Sequence, residues 1–139
     1  MTTKQENTEA LQKRFMQYQM LDQQMSKLKE QIEIFDQQIE EMEQSKVNMG
    51  EIATYPKGVD MFVPISGGVF VKATLKDASI LGVNVGAHVV VEKTIPEAQK
   101  MLQQQIDEIA GVKKQVMGQM EKMREHATRL ELELKKLVE

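Results

Sequence analysis

His88 and His126 are the only histidines in the 139-residue chain. With no cysteine beside them, they are the first places to look for acid–base, nucleophilic or metal chemistry. His88 follows Gly86-Ala87 in a turn-like stretch, and His126 stands in a long helix-compatible segment. Neither has a second ligand at metal spacing, a phosphate-cradling loop or a nucleophile constellation around it. The lack of cysteine removes thiolate zinc sites, a Cys nucleophile and a disulfide framework. The expectation is a protein that is not an enzyme, with no catalytic residues, no metal and no cofactor. What remains is the chemistry of apolar binding. Eleven Met and sixteen Gln accompany only four Phe, two Tyr and no Trp. Methionine is flexible and polarisable and suits surfaces that accept many shapes.

The bulk numbers bound the class. The chain is 41% hydrophobic and 28% charged with a formal charge of −3, which fits one ordinary domain and is too apolar for a disordered chain. No apolar run approaches the ~18 residues of a membrane span. Met1-Thr2-Thr3-Lys4-Gln5-Glu6 lacks the apolar core of a secretory signal. Residues 9–49 carry eight acidic and five basic side chains, and residues 97–139 carry eight of each, with no cationic stripe. These charges read as solvated helix faces with pairs such as Glu131–Lys135. The expected protein is cytoplasmic and binds neither nucleic acid nor membrane.

Two long arms flank a middle full of helix breakers. Residues 9–49 contain no Gly or Pro, and residues 97–139 contain only Gly111 and Gly118. All three prolines lie in residues 50–96. Leu21, Met25, Leu28, Ile32, Phe35, Ile39 and Met42 step alternately by 4 and 3, the seam of a coiled coil. Upstream, Leu11, Phe15 and Tyr18 continue the stripe, with a phase shift expected between Tyr18 and Leu21. In the second arm Leu102, Ile106, Ile109, Lys113, Val116, Met120, Met123, Ala127, Leu130, Leu134 and Leu137 keep one register. Lys113 is its one polar member, read as a locally loose seam with the Lys stem lying along it. Thr94-Ile95-Pro96-Glu97 is a capping box with Pro in the first turn, and Gly50 suits the left-handed residue that ends a helix. Two arms of about 40 residues, each ~60 Å long as helix, fold back most simply as an antiparallel coiled coil.

The middle has period two. Met61, Val63 and Ile65 alternate with Phe62 and Pro64; Val69, Val71, Ala73 and Leu75 with Phe70, Lys72 and Thr74; Leu81, Val83 and Val85 with Gly82 and Asn84; then comes Val89-Val90-Val91. Four short strands follow, paired as hairpins through Ser66-Gly67-Gly68 and Gly86-Ala87-His88. The expected fold is α+β: a long antiparallel coiled-coil helical hairpin (about 8–49 and 95–138) with two β-hairpins (59–94) between the helices, all in one domain.

Isolated hairpins are marginal in water, and their outer strands offer unpaired N–H and C=O groups. Both faces here carry apolar residues. The β segment therefore reads as an assembly module that completes an oligomeric β-barrel with strands from other subunits. Its assembly residues are Val63, Ile65, Val69, Phe70, Val71, Leu81, Val83, Val85, Val89 and Val91. Other apolar residues lie off the seam: Met16 and Met20 on the first arm, Leu132 and Val138 on the second. An antiparallel pairing collects them at the free tips. The expected binding surface there is Leu11, Phe15, Met16, Tyr18, Met20, Leu130, Leu132, Leu134 and Leu137.

At this point the sequence resembles a family. Val63-Pro64-Ile65-Ser66-Gly67-Gly68-Val69-Phe70-Val71-Lys72-Ala73 is similar to the V-P-(small, Gly)-G-x-F-V-x-A signature of the prefoldin (GimC) alpha class. Val83-Asn84-Val85-Gly86-Ala87-His88-Val89-Val90-Val91-Glu92-Lys93 resembles its V-x-V-G-x-G-x-V-V-E-K hairpin, and Pro96-Glu97-Ala98 the start of its second helix. Asn84 stands where Asp is common and His88 where a small residue is usual. The resemblance, archaeal in type, implies a hexamer of two alpha and four prefoldin beta subunits with a double β-barrel platform. Its members are ATP-independent chaperones that hold unfolded polypeptides, prevent aggregation and pass them to a group II chaperonin. The partners it implies are beta subunits, a second alpha subunit, unfolded polypeptides and the chaperonin. Two alternatives stay open: a structural scaffold or tether subunit with no holdase activity, and a homo-oligomer or filament built on the same hairpins.

Overall fold

The computed structural model describes residues Thr2–Val138. Helix α1 (Thr2–Ile52) is followed by strands β1 (Asp60–Ser66), β2 (Val69–Thr74), β3 (Ile80–Asn84) and β4 (Val90–Thr94), then helix α2 (Ile95–Val138). The chain divides into two compact units: Met1–Gln38 with Ile109–Glu139, and Ile39–Glu108.

In the first unit the helical segments run antiparallel, tied by Arg14 to Glu133 and by Asp36 to Lys113. Along α1 the inward residues are Leu11, Arg14, Tyr18, Leu21, Met25, Leu28, Ile32 and Phe35, all half-buried. Their steps alternate 3 and 4 without a break. The expected phase shift at Tyr18 is therefore absent. Arg14 holds the seam position assigned to Phe15, and Phe15 is exposed. The aliphatic stem of an arginine can line an apolar seam while its guanidinium reaches a carboxylate, here Glu133. On α2 the expected register holds: Val116, Ala127 and Leu130 are buried, and Ile109, Lys113, Met120, Met123, Leu134 and Leu137 half-buried.

Lys113 does more than lie along the seam. Its ammonium forms an ion pair with Asp36, with side-chain exposures of 28% and 53%. A charged pair at one seam level penalises any slipped pairing in which the Lys would face an apolar residue. Replacing Lys113 with Leu exchanges a half-exposed pair, about 0.5 kcal/mol, for an apolar seam contact of about 1.5 kcal/mol. Lys113→Leu should therefore raise the thermal midpoint by a few degrees in circular dichroism, while Asp36→Asn should lower it slightly, and less so in high salt. A lower midpoint for Lys113→Leu would contradict this assignment.

In the second unit the seam continues through Ile39, Met42, Lys46 and Met49 on α1 and through Gln99, Leu102 and Ile106 on α2. Lys46 donates to Gln103, and the Gln99 amide donates to the Lys46 carbonyl at 3.2 Å. Gly50 does not end α1. The helix runs on to Ile52 and closes with a Thr54 hydroxyl bond to the Glu51 carbonyl, just before Pro56. A side chain at Gly50 would meet Gln99 at 3.6 Å, an ordinary contact. The capping box of α2 forms as expected: Thr94 N–H donates to Glu97 Oε2 and Glu97 N–H to Thr94 Oγ1, both at 3.3 Å. Ile95, Ala98 and Ile106 are buried beyond it.

The four strands form two separate two-stranded antiparallel sheets, β1–β2 and β3–β4. In the first, Met61 faces Ala73 and Val63 faces Val71, while Phe62 and Pro64 oppose Lys72 and Phe70 on the other face. An irregularity between Pro64 and Ser66 sets Ser66, not Ile65, opposite Val69, so Ile65 drops out of the expected alternation. In the second, Leu81 faces Lys93 and Val83 faces Val91. Strand β4 begins at Val90 rather than Val89, although the Val85 and Val89 backbones still bond across the loop.

That second loop is strained. Gly86, Ala87 and His88 have φ of 112°, 50° and 62°, and Val89 N–H closes the turn on the Gly86 carbonyl at 2.9 Å. A turn with positive φ at both central residues favours Asn-Gly. Here both carry side chains that disfavour the left-handed region. His88→Gly should stabilise the hairpin by about 0.5 kcal/mol, net of glycine's greater unfolded entropy. Slower amide hydrogen exchange at Val85 and Val89 would report it; faster exchange would show that the imidazole itself supports the turn.

Candidate functional site

Two sets of exposed apolar residues stand out, one in each unit. In the first unit, Arg14 and Glu133 place residues 10–20 of α1 beside residues 128–138 of α2. Off the seam at this end, Met16 is 63% and Met20 59% exposed, and Phe15, Leu132 and Val138 are exposed as well. Met16 and Met20 lie four residues apart and so share one helix face. The other sequence candidates sit inward: Leu11, Tyr18, Leu134 and Leu137 are half-buried, and Leu130 is 4% exposed. A partner could reach Leu130 only if the helix ends part. Arg14 and Glu133, with Lys136 and Leu137, line a shallow cleft of about 220 Å³. The Arg14 guanidinium, hydrogen-bonded to Glu133, holds that carboxyl below its usual pKa.

This corner was hard to read in the sequence because charge hid a seam position. Counting 3 and 4 backwards from Leu21 reaches Tyr18, Arg14 and Leu11, and the same count leaves Phe15 outside. Ile34, Val112 and Met117 are further exposed apolar residues of this unit, outside the expected set.

In the second unit the hairpins bury almost nothing. Phe62, at 71% exposure, and Phe70 open one face of β1–β2, while Val63, Val69 and Val71 open the other. Ile65, Val85, Val89, Val90 and Val91 are exposed too, whereas Leu81 and Val83 are half-buried. Between the hairpins, the Asp77 carboxylate accepts from the Ser79 hydroxyl at 2.6 Å and the Ser79 N–H at 2.9 Å. These bonds lower its pKa and fix the link in an Asx turn. Each two-stranded sheet keeps two open edges as well as its open faces. Free strand edges and open apolar faces are surfaces that strands of another chain can cover. Among the described residues no cluster of three or more His, Cys, Asp or Glu could hold a metal ion, and no helix is long and apolar enough to cross a membrane.

A long helix, two small antiparallel β-hairpins and a second long helix, with seam residues three and four apart on both helices, define a coiled-coil and β-hairpin subunit fold. The chain belongs to the prefoldin family: the family model described as "Prefoldin subunit" matches residues 21–139. A Prefoldin subunit alpha from Methanococcus vannielii is 30% identical over 128 residues, covering 92% of this chain and 86% of the relative. One from Archaeoglobus fulgidus is 27% identical over 130 residues, covering 94% and 82%. Among solved structures, filamentous PFD from Methanocaldococcus jannaschii shares the fold with a TM-score of 0.75 at 19% identity, covering 84% of this chain and 96% of that one. Within the family the chain falls in the archaeal alpha class, a non-enzymatic chaperone component.

Proposed function

We propose that this subunit serves an ATP-independent holdase, which binds non-native polypeptides at the terminal ends of its paired helices and keeps them from aggregating. The observation that carries the reading is the exposure of Phe15, Met16, Met20 and Leu132 off the seam at one end of the first unit. Burial of client apolar surface there is favourable by roughly 25 cal/mol per Å² before ordering costs, so one helix pair binds weakly. Several pairs around one client retain it through effective concentration, and release follows from exchange of weak contacts. The uncovered hairpins, with the family resemblance, support assembly as two alpha and four beta subunits that deliver clients to a group II chaperonin in the cytoplasm.

The test is direct. The complex is purified with and without a beta-type partner, weighed by native mass spectrometry, and asked to delay aggregation of an unrelated denatured protein without nucleotide. A heterohexamer that delays aggregation supports the proposal. A complex of the right mass with no effect on aggregation would leave a scaffold or tether subunit. The fold shared with a filamentous PFD favours one second reading, a homo-oligomer or filament through the same hairpins. High-mass species formed without the beta partner would establish that reading instead.

A further inference from the structure

We propose that Met16 and Met20 form a reversible oxidation site through which peroxide weakens client retention. The inference rests on the client-binding reading above and adds its regulation. Met16 and Met20 are 63% and 59% exposed, four residues apart on one face of α1. The seam methionines Met25, Met120 and Met123 of the same unit are half-buried. Thioether oxidation follows access to the sulfur, so the exposed pair reacts before these seam methionines. The sulfur lone pair attacks one oxygen of hydrogen peroxide. The S–O bond forms as the O–O bond breaks, sulfur gives up two electrons, and the departing oxygen takes the proton of the transferred one and leaves as water. The product sulfoxide is polar and chiral, and a sulfoxide reductase can return it to the thioether. Two of the exposed apolar groups at this end then become polar, while the seam is untouched. The loss repeats on every copy that holds the same client.

Peroxide treatment of the full-length chain in its native assembly, followed by peptide mass spectrometry, reads the order of oxidation. Met16 and Met20 should reach sulfoxide at least about threefold faster than Met25 and Met123. At the dose that oxidises the pair, aggregation suppression should fall about fivefold, and a methionine sulfoxide reductase should restore it. Each variant is compared with its own untreated activity. Met16→Leu/Met20→Leu should keep its protection after peroxide. Met117→Leu, which removes an exposed methionine outside the proposed surface, should remain as sensitive as the natural chain. Equal oxidation rates at Met16, Met25 and Met123 would overturn the site. Full protection with both sulfoxides formed would overturn the switch alone, whereas no protection before any peroxide would bring down the client-binding reading and the switch with it.

Discussion

Deleting residues 1–20 together with 128–139 is expected to abolish protection of a denatured client while the assembly keeps its subunit composition in native mass spectrometry. The deletion removes Phe15, Met16, Met20, Leu132 and Val138, the exposed apolar residues at this end, along with the seam residues Leu11, Tyr18, Leu130, Leu134 and Leu137. Full burial of one such side chain is favourable by about 1.5–3 kcal/mol, so losing even two per helix pair removes most of a weak contact. Avidity then compounds the loss across copies. The β segment, which lies in the other compact unit, is untouched. A gentler variant separates surface from seam. Phe15→Ser/Met16→Gln/Met20→Gln/Leu132→Gln changes only exposed positions, so helix content should be unchanged and retention should fall about tenfold rather than vanish. The remainder would report seam residues that clients reach when the helix ends open, since chain ends open most readily. If the truncated complex protects a client as well as the full one, the terminal ends are not the binding surface.

Val71→Asp and Val83→Asp should each dissolve the assembly into single chains or small fragments of it. Val71 pairs with Val63 across β1–β2, and Val83 with Val91 across β3–β4. In the single chain Val63, Val71 and Val91 are exposed and Val83 is half-buried. An aspartate there costs the lone subunit at most about 1 kcal/mol in strand preference. Inside a completed barrel the same carboxylate would be buried without a partner, a penalty of several kcal/mol repeated in every copy. Native mass spectrometry should show loss of the full complex, with circular dichroism retaining the helical signal. An intact complex carrying either aspartate would mean that these faces stay open to solvent and that assembly uses other surfaces. The conservative pair Val71→Ile and Val83→Ile should leave the mass unchanged, which guards against a simple folding defect.

The elements were legible because their signals are local. The 4–3 alternation from Leu21 to Met42 and from Leu102 to Leu137 needs only that apolar side chains three and four apart share a helix face. The period-two runs from Met61 to Val91 need only the alternation of a pleated strand, and Thr94 with Glu97 announces a helix start by chemistry confined to one turn. Local rules misled at particular residues, as at Ile65, which the irregularity in β1 removes from the alternation. Gly50 reads as a helix end by type, yet the helix passes through it to Ile52, where Ala53 N–H still reaches the Met49 carbonyl and Thr54 and Tyr55 N–H close turns on Glu51 and Ile52 before Pro56. Phe15 reads as seam by hydrophobicity, yet the register carries Arg14 inward.

By itself the order of residues therefore determined which segments are helix and strand and that two long arms flank a β middle. Only the tertiary structure decided which polar side chains join the two helices. Arg14 with Glu133, Lys113 with Asp36, and Lys46 with Gln99 and Gln103 depend on residues 53 to 119 positions apart meeting in space. The same pairing decided which apolar residues remain outside. Exposure is set by what a neighbouring helix covers, and that neighbour is identified by register across the fold rather than by anything local to the residue.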